Sequence, residues 1–191
     1  MKLNLPNKLT LSRVALVPVF MVFAAISHYG QRDFSPVCSL IAGVIFSIAS
    51  FTDYLDGHLA RKHNLVSDFG KFADPLADKM LTTAALIYMA VDGVCSPIVL
   101  AIVLFREFAV AGVRMIAAAK QTVIAANMWG KVKTVLQMVT VIFYYFFAVI
   151  GGPDGIFVVQ GLTYILCWVV AIVTALSGAK YLWDNRECIK P

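Results

Sequence analysis

Six hydrophobic stretches, separated by short polar segments, account for most of the chain. A helix that crosses a bilayer needs about 20 mostly apolar residues, and each stretch approaches or exceeds this length. They comprise residues 10–28, 36–61, 69–91, 96–119, 128–150 and 156–183. The pattern predicts an all-α integral membrane protein with six transmembrane helices.

The segments between these stretches are polar or rich in Gly and Pro, as segments that end helices usually are. They comprise residues 30–33, 62–68, 92–93, 120–127 and 151–155. Residues 1–9, which include Pro6 and Asn7, are predicted to form a short interfacial segment before the first helix. Because no soluble region or low-complexity linker interrupts the pattern, residues 1–191 are predicted to form a single membrane domain.

The composition fits a membrane protein better than a soluble one. Of the 191 residues, 60% are hydrophobic and 14% are charged, whereas soluble domains contain about 45–50% apolar and about 25% charged residues. The net charge of +5 does not indicate nucleic-acid binding, because the basic residues are dispersed among apolar stretches. The four cysteines form no C-x-x-C pair, so neither a zinc site nor a disulfide framework is expected.

The distribution of basic residues predicts the orientation in the membrane. Lys and Arg are enriched on the cytoplasmic side of membrane proteins. In the six-helix arrangement, all of the 16 basic residues except Arg32 fall toward the same side. That side is therefore predicted to be the cytoplasm, and an even number of spans places both termini there.

Four of the 11 acidic residues lie where the second predicted helix ends and the third begins. Asp53 and Asp56 are about 60° apart around a helix, and Asp74 and Asp78 are about 40° apart. Because the segment at residues 62–68 is short, these helix ends are expected to be antiparallel neighbours on the cytoplasmic side. The two pairs of carboxylates are therefore predicted to converge.

Converging carboxylates in a membrane need compensating cations or water. One ionised Asp at the bilayer centre costs about 2.5–3.5 kcal/mol on insertion scales, and several together also repel one another. Hard divalent cations such as Mg²⁺ prefer carboxylate oxygens and often bind substrate phosphate as well. Four carboxylates suffice for two ions, which can stabilise the entering and leaving oxygens of a displacement at phosphorus. The acids therefore predict a two-metal site for a phosphoryl-type substrate.

Small residues and one arginine accompany the acids. Gly57 and Ala60 lack bulk, so a base or a ribose can approach the helix backbone closely. Arg61 offers a planar group that matches phosphate oxygens, and Gly70 leaves room where the third helix begins. Two structural roles stay open as alternatives: Gly57 and Ala60 can form a helix-packing seam, and Arg61 can be an interfacial charge that snorkels to water.

The spacing Asp-Gly-x2-Ala-Arg-x8-Gly-x3-Asp-x3-Asp, from Asp56 to Asp78, resembles the signature of the CDP-alcohol phosphotransferase family at every fixed position, and Asp53 matches its extra upstream acid. This resemblance implies a six-helix homodimer with a polar cavity that faces the cytoplasm. It implies that two Mg²⁺ or Mn²⁺ ions are held by Asp53, Asp56, Asp74 and Asp78, with Asp78 also the general base. The CDP moiety would bind along Gly57, Ala60, Arg61 and Gly70.

A second resemblance, to family members that make phosphatidylglycerol phosphate, concerns the acceptor. The residues that carry it extend over most of the chain: 4–13, Arg106-Glu107, Arg114 and 130–134. It implies CDP-diacylglycerol as the donor and glycerol 3-phosphate as the acceptor. Attack of the acceptor's primary hydroxyl on the phosphorus that carries diacylglycerol would release CMP.

A phosphorylated acceptor suits a set of basic residues in the fourth and fifth predicted helices. The predicted acceptor pocket consists of Arg106, Arg114, Lys131 and Lys133. Arg106 and Arg114 are set among apolar residues, so they are expected to be buried and to need an anionic partner. For Lys133, an ordinary charge of the cytoplasmic side is an equally good interpretation.

Three other functions stay open at this point. Another acceptor within the family, such as inositol phosphate, serine or phosphatidylglycerol, is the nearest. A cation transporter also places acids and basic partners inside the membrane, but it does not require Gly and Arg at fixed spacing. A structural scaffold leaves the four acids without a reason.

Overall fold

A computed structural model of the chain describes residues 5–30, 35–63, 68–121, 128–150 and 152–186. Within its helices, the side chains of residues 5–10, 53–63, 68–78, 150 and 152–154 lie outside the described part. In chain order the helices are α1 (Leu5–Tyr29), α2 (Ser35–His63), α3 (Asp68–Val91), α4 (Pro97–Ala119), α5 (Met128–Ile150) and α6 (Gly152–Asp184). These ranges contain no strand, so the prediction of an all-α fold is confirmed.

The helix boundaries agree with the predicted ones to within a few residues, with two larger differences at helix starts. Helix α1 begins at Leu5 rather than residue 10, so part of the predicted interfacial segment continues into the helix. Helix α6 begins at Gly152 rather than residue 156. Pro6 and Pro153 stand in these first turns, where a proline is tolerated because the backbone N–H that it lacks has no partner inside the helix.

Four helices of the described part are long and apolar enough to cross a membrane. Their apolar segments are Leu11–Tyr29, Ser35–Thr52, Met128–Val149 and Gly155–Asp184. The described apolar segment of α3 is shorter, at Lys79–Val91, and α4 contains Arg106, Glu107 and Arg114. The chain is therefore a multi-pass membrane protein, and membrane crossing by α3 and α4 stays a prediction.

The hydrophobic core contains buried residues from all six helices. Helix α1 packs against α2 and α3, α2 also packs against α5, and α6 packs against α4 and α5. The ring of Phe20 lies 6.1 Å from that of Phe46 and 5.5 Å from that of Tyr145, centroid to centroid. A β-carbon at Gly43 would lie 3.0 Å from Cβ of Tyr145. The absence of a side chain at Gly43 therefore lets α2 approach α5 closely.

The turn between α3 and α4 falls at Asp92 and Gly93, as the sequence predicts. Gly93 has a φ of +78°, a backbone conformation that glycine adopts without steric cost. Ser96 caps α4, because its hydroxyl accepts a hydrogen bond of 3.3 Å from the backbone N–H of Ile98. Pro97 then occupies the first helical position, which suits its fixed φ.

A polar cluster joins this turn to α1 and α5. Oδ1 of Asp92 lies 2.5 Å from Nδ1 of His28, and Oδ2 of Asp92 accepts a hydrogen bond of 2.7 Å from the hydroxyl of Tyr144. Asp92 follows α3 directly, whereas the acidic motif occupies the first half of that helix. The cluster therefore links α1, α5 and the end of α3 at the end of the helix bundle that is remote from the predicted metal site.

Candidate active site

Each predicted pair of aspartates lies within a single helix. Asp53 and Asp56 belong to α2, and Asp74 and Asp78 belong to α3. The two helices contact each other, and α1 contacts both. The structure does not describe the side chains of the residues predicted to bind metal or CDP. These residues are Asp53, Asp56, Gly57, Ala60, Arg61, Gly70, Asp74 and Asp78. The convergence of the carboxylates on metal ions therefore stays a prediction.

Next to this motif, Glu107 of α4 is surrounded by three basic side chains. Nζ of Lys133 lies 2.6 Å from its Oε1, and Nη1 of Arg106 lies 3.0 Å from the same oxygen. Nζ of Lys79 lies 3.6 Å from Oε2. These four residues, here named the Glu107 cluster, come from α3, α4 and α5. Because Lys79 directly follows Asp78 in the chain, the cluster adjoins the acidic motif.

Three of the four charges of the Glu107 cluster are largely buried, whereas the side chain of Lys79 is 38% exposed. The exposed fraction of the side chain is 5% for Lys133, 12% for Arg106 and 19% for Glu107. Burial of an ion costs several kcal/mol unless an opposite charge compensates it, which explains why these groups contact each other. Lys133 is therefore not an ordinary solvated charge of the cytoplasmic side.

The Glu107 cluster also has more positive than negative charge. Three basic groups against one carboxylate leave a formal charge of +2. Arg106 was expected to need an anionic partner, and the sequence indicated only the substrate phosphate for this role. In the structure, Glu107 is one such partner. A phosphate group suits such a set of residues, because Arg and Lys form strong charge-assisted hydrogen bonds with phosphate oxygens.

Two glycines make room for the side chain of Arg106. A β-carbon at Gly178 of α6 would lie 2.8 Å from Cγ of Arg106, and one at Gly130 of α5 would lie 3.1 Å from its Nη2. Cγ stands near the root of the arginine side chain, so it cannot move without shifting the whole group. The position of Arg106 therefore depends on the absence of side chains on two neighbouring helices.

Unlike Arg106 and Lys133, Arg114 and Lys131 are exposed to solvent. The expectation that Arg114 is buried is wrong, since its side chain is exposed. Its Nε donates a hydrogen bond of 3.3 Å to the hydroxyl of Tyr181, and its guanidinium lies 5.8 Å from the centre of that ring. Arg114 is eight residues beyond Arg106, hence about two turns further along α4 and about 80° around it, where it contacts a later turn of α6.

Lys131 is exposed as well. It precedes the buried Lys133 by two residues, which places it about 200° away around α5. The structure thus brings together two of the four residues predicted for the acceptor pocket, Arg106 and Lys133, both at Oε1 of Glu107. The participation of Arg114 and Lys131 in acceptor binding stays a prediction.

The sequence by itself indicates no role in the site for several residues of this region. Glu107 carries a signal that was available, because an acid within a hydrophobic stretch requires a partner, and a basic residue precedes it. From the sequence, Lys79 bears only on membrane orientation. Gly178 carries no local signal, since one glycine in an apolar helix does not reveal which side chain from another helix fills its space.

Comparison with known proteins gives matches along nearly the whole chain. The sequence model of the CDP-alcohol phosphatidyltransferase family matches residues 3–176. Relatives named CDP-diacylglycerol–glycerol-3-phosphate 3-phosphatidyltransferase include one from Bacillus subtilis (strain 168), which is 39% identical over 98% of this chain and 97% of its own. Another, from Rickettsia bellii (strain RML369-C), is 34% identical over 93% of both chains. A third, from Sodalis glossinidius (strain morsitans), is 33% identical over 98% of this chain and 97% of its own.

Proposed function

The chain belongs to the CDP-alcohol phosphatidyltransferase family, and on this basis we propose that it transfers a phosphatidyl group from CDP-diacylglycerol to glycerol 3-phosphate. The products are phosphatidylglycerol phosphate, a phospholipid precursor, and CMP. The observation that carries the proposal is the similarity to relatives named for this reaction, which extends over 98% of the chain in the Bacillus subtilis case.

The donor site of the proposal is the acidic motif of α2 and α3. A donor set of Asp53, Asp56, Asp74 and Asp78 consists only of carboxylate oxygens, the chemistry that suits Mg²⁺ or Mn²⁺, and four of them suffice for two ions. When bound, such ions supply Lewis acidity to phosphate oxygens. The CDP moiety would be bound by Gly57, Ala60, Arg61 and Gly70.

The acceptor site of the proposal is built on the Glu107 cluster. Its formal charge of +2 favours an acceptor that carries a phosphate group over a neutral or zwitterionic one such as serine. Arg106 and Lys133 would bind the phosphate of glycerol 3-phosphate. Arg114 and Lys131, which are exposed, would attract the acceptor toward the site.

The transfer itself requires one base and no covalent intermediate if both substrates bind together. Asp78 accepts the proton of the acceptor's primary hydroxyl, and the resulting oxygen forms a bond to the phosphorus that carries diacylglycerol. The bond between this phosphorus and the oxygen of CMP breaks, and the electron pair leaves with CMP. Arg61 would orient the diphosphate through paired hydrogen bonds.

The enzyme would act in the plasma membrane as a homodimer, with its active site and both termini facing the cytoplasm. The orientation is supported by the basic residues, since all but Arg32 fall toward one side in the six-helix arrangement. Both substrates are then accessible: the donor lipid from the inner leaflet and glycerol 3-phosphate from the cytosol.

The test is CMP release by the purified full chain in detergent. With CDP-diacylglycerol and Mg²⁺ or Mn²⁺, we expect rapid release with glycerol 3-phosphate and little with inositol phosphate, serine or phosphatidylglycerol. A chelator should stop the reaction and added Mg²⁺ should restore it, while Asp78→Asn should abolish turnover. Preference for another acceptor would reassign the substrate. No CMP release with any acceptor would reject the enzyme, and cation uptake by proteoliposomes would then favour a transporter.

A further inference from the structure

Arg13 of α1 has the lowest exposure among the charged residues of the described part, at 1%. It is also the largest fully buried side chain there, and it interacts with other groups of the chain. Helix α1 contains no acidic residue. Negative charge stabilises a buried guanidinium, and α1 itself supplies none. The helices that pack most extensively against α1 are α2 and α3, which carry the acidic motif, whereas α5, which Phe20 also contacts, contains no acidic residue.

The packing of α1 against α2 shows which turn of α2 lies beside Arg13. The rings of Phe20 and Phe46 are in contact, with centroids 6.1 Å apart, and a short connection makes the two helices antiparallel. Arg13 stands seven residues before Phe20, and Asp53 stands seven residues after Phe46. Seven residues are about two turns of an α-helix. Arg13 is therefore level with the turn of α2 that contains Asp53.

The packing of α1 against α3 shows which turn of α3 lies at the same height as Arg13 along the helix bundle. Helix α3 runs parallel to α1, and His28 near the end of α1 contacts Asp92 just after the end of α3. Arg13 lies 15 residues before His28, and Asp78 lies 14 residues before Asp92. Both helices rise by about 1.5 Å per residue. Arg13 is thus also level with the turn of α3 that ends at Asp78.

We propose that Arg13 is a positioning residue that holds the carboxylates of Asp53 and Asp78 from α1 and offsets their mutual repulsion before metal binds. The inference rests on the proposed function and deepens it, since it names the residue that assembles the carboxylates of that site. Because the side chain of Arg13 is only 1% exposed, it does not contact substrate, and it acts by positioning the carboxylates. Its planar guanidinium can contact two oxygens at once, which a lysine cannot reproduce.

The test is a pair of double-mutant cycles on the metal-free full chain in detergent, with the unfolding temperature as the readout. Arg13→Met is combined with Asp53→Asn in one cycle and with Asp78→Asn in the other. We expect Arg13→Met to lower Tm, and to lower it by several degrees less once either acid has been neutralised, because contacting charges couple. The matched control combines Arg13→Met with Asp92→Asn, and here the two effects should add, because Asp92 contacts His28 at the other end of α3.

A second readout uses Mn²⁺ alone as the probe. Without Arg13 the carboxylates repel one another more strongly, and bound cations relieve that repulsion. Mn²⁺ should therefore raise the Tm of Arg13→Met by more than it raises that of the wild type. Arg13→Lys keeps the charge, so its Mn²⁺-induced rise should lie between the two. A side chain that only fills space would leave this rise unchanged.

Additive Tm changes in both acid cycles, or equal Mn²⁺-induced rises in the wild type and Arg13→Met, would overturn the inference. If Arg13→Met does not fold, the same cycles are run with Arg13→Lys, whose loss of paired contacts should still couple to one of the acids. The cycles measure unfolding rather than turnover. Additive cycles in a chain that releases CMP would reject only the role of Arg13, whereas coupling without CMP release would reject the proposed reaction.

Discussion

Cγ of Arg106 lies where a side chain at residue 178 would begin, since a β-carbon at Gly178 would approach it to 2.8 Å. Real β-carbons essentially never come closer than 3.0 Å to another group. Gly178 of α6 therefore sets the position of Arg106 in α4, and with it the geometry of the Glu107 cluster.

Gly178→Ala should displace Arg106 and raise the KM for glycerol 3-phosphate. A hydrogen bond to a charged group contributes about 1.5–3 kcal/mol, so we expect a rise of about ten- to a hundredfold with a smaller change in kcat. The measurement is CMP release as a function of acceptor concentration. The KM for CDP-diacylglycerol should change little.

Gly161→Ala is the matched control for this substitution. Gly161 belongs to the same helix, and a β-carbon there would meet no atom within 4 Å. Alanine favours a helix by about 1 kcal/mol over glycine, so this variant should keep its KM and unfold at an equal or higher temperature. An unchanged acceptor KM in Gly178→Ala would remove Arg106 from the acceptor site.

Glu107→Gln should destabilise the protein, because it removes the negative charge that contacts Lys79, Arg106 and Lys133. An unsatisfied buried group costs about 1–3 kcal/mol, and each kcal/mol corresponds to about 2–4 °C in a domain of this size. The Tm in detergent should therefore fall by several degrees. Addition of Lys133→Met should recover part of the loss, since it removes one of the repelling charges. A double variant less stable than Glu107→Gln would show that packing, rather than charge, dominates.

Asp92→Asn should lower stability without affecting substrate binding. It removes the negative charge that contacts His28 and weakens the hydrogen bond from Tyr144, at a cost of about 1 kcal/mol. Tyr144→Phe, which removes only the donor, should show a smaller fall in Tm. Both KM values should equal those of the wild type, because the cluster lies at the end of the bundle away from the acidic motif. A raised KM in either variant would show that the two ends are coupled.

Arg114→Ala should chiefly raise the acceptor KM, if the exposed guanidinium attracts the phosphate of glycerol 3-phosphate. Tyr181→Phe is the matched variant, because it keeps the ring beneath Arg114 and removes the hydroxyl that accepts its hydrogen bond. We expect a smaller rise there than in Arg114→Ala. Steady-state kinetics at low ionic strength is the measurement, since salt screens exposed charges. Equal KM values in Arg114→Ala and the wild type would exclude Arg114 from the pocket.

Much of the fold could be predicted from the sequence, because a bilayer places two simple requirements on a segment that crosses it. A spanning segment must satisfy its own backbone hydrogen bonds and be apolar over about 20 residues. The hydrophobic stretches and the polar segments between them therefore located the six helices, four of which meet this length criterion in the described part. Local turn chemistry located the joint at Asp92 and Gly93. The starts of α1 and α6 were misplaced because Pro6 and Pro153 were read as helix-ending residues, although the first turn tolerates proline.

The candidate chemistry divides in the same way. The fixed spacing of Asp53, Asp56, Asp74 and Asp78 along two helices is a property of the sequence, and so is the prediction of a metal-dependent transfer. Only the tertiary structure decided which side chains contact each other across helices. Glu107 contacts Lys133, Arg114 contacts Tyr181, and Gly178 leaves space for Arg106. Helical periodicity fixes the direction of each side chain around its own axis, but the helix that lies in that direction depends on how the whole bundle packs.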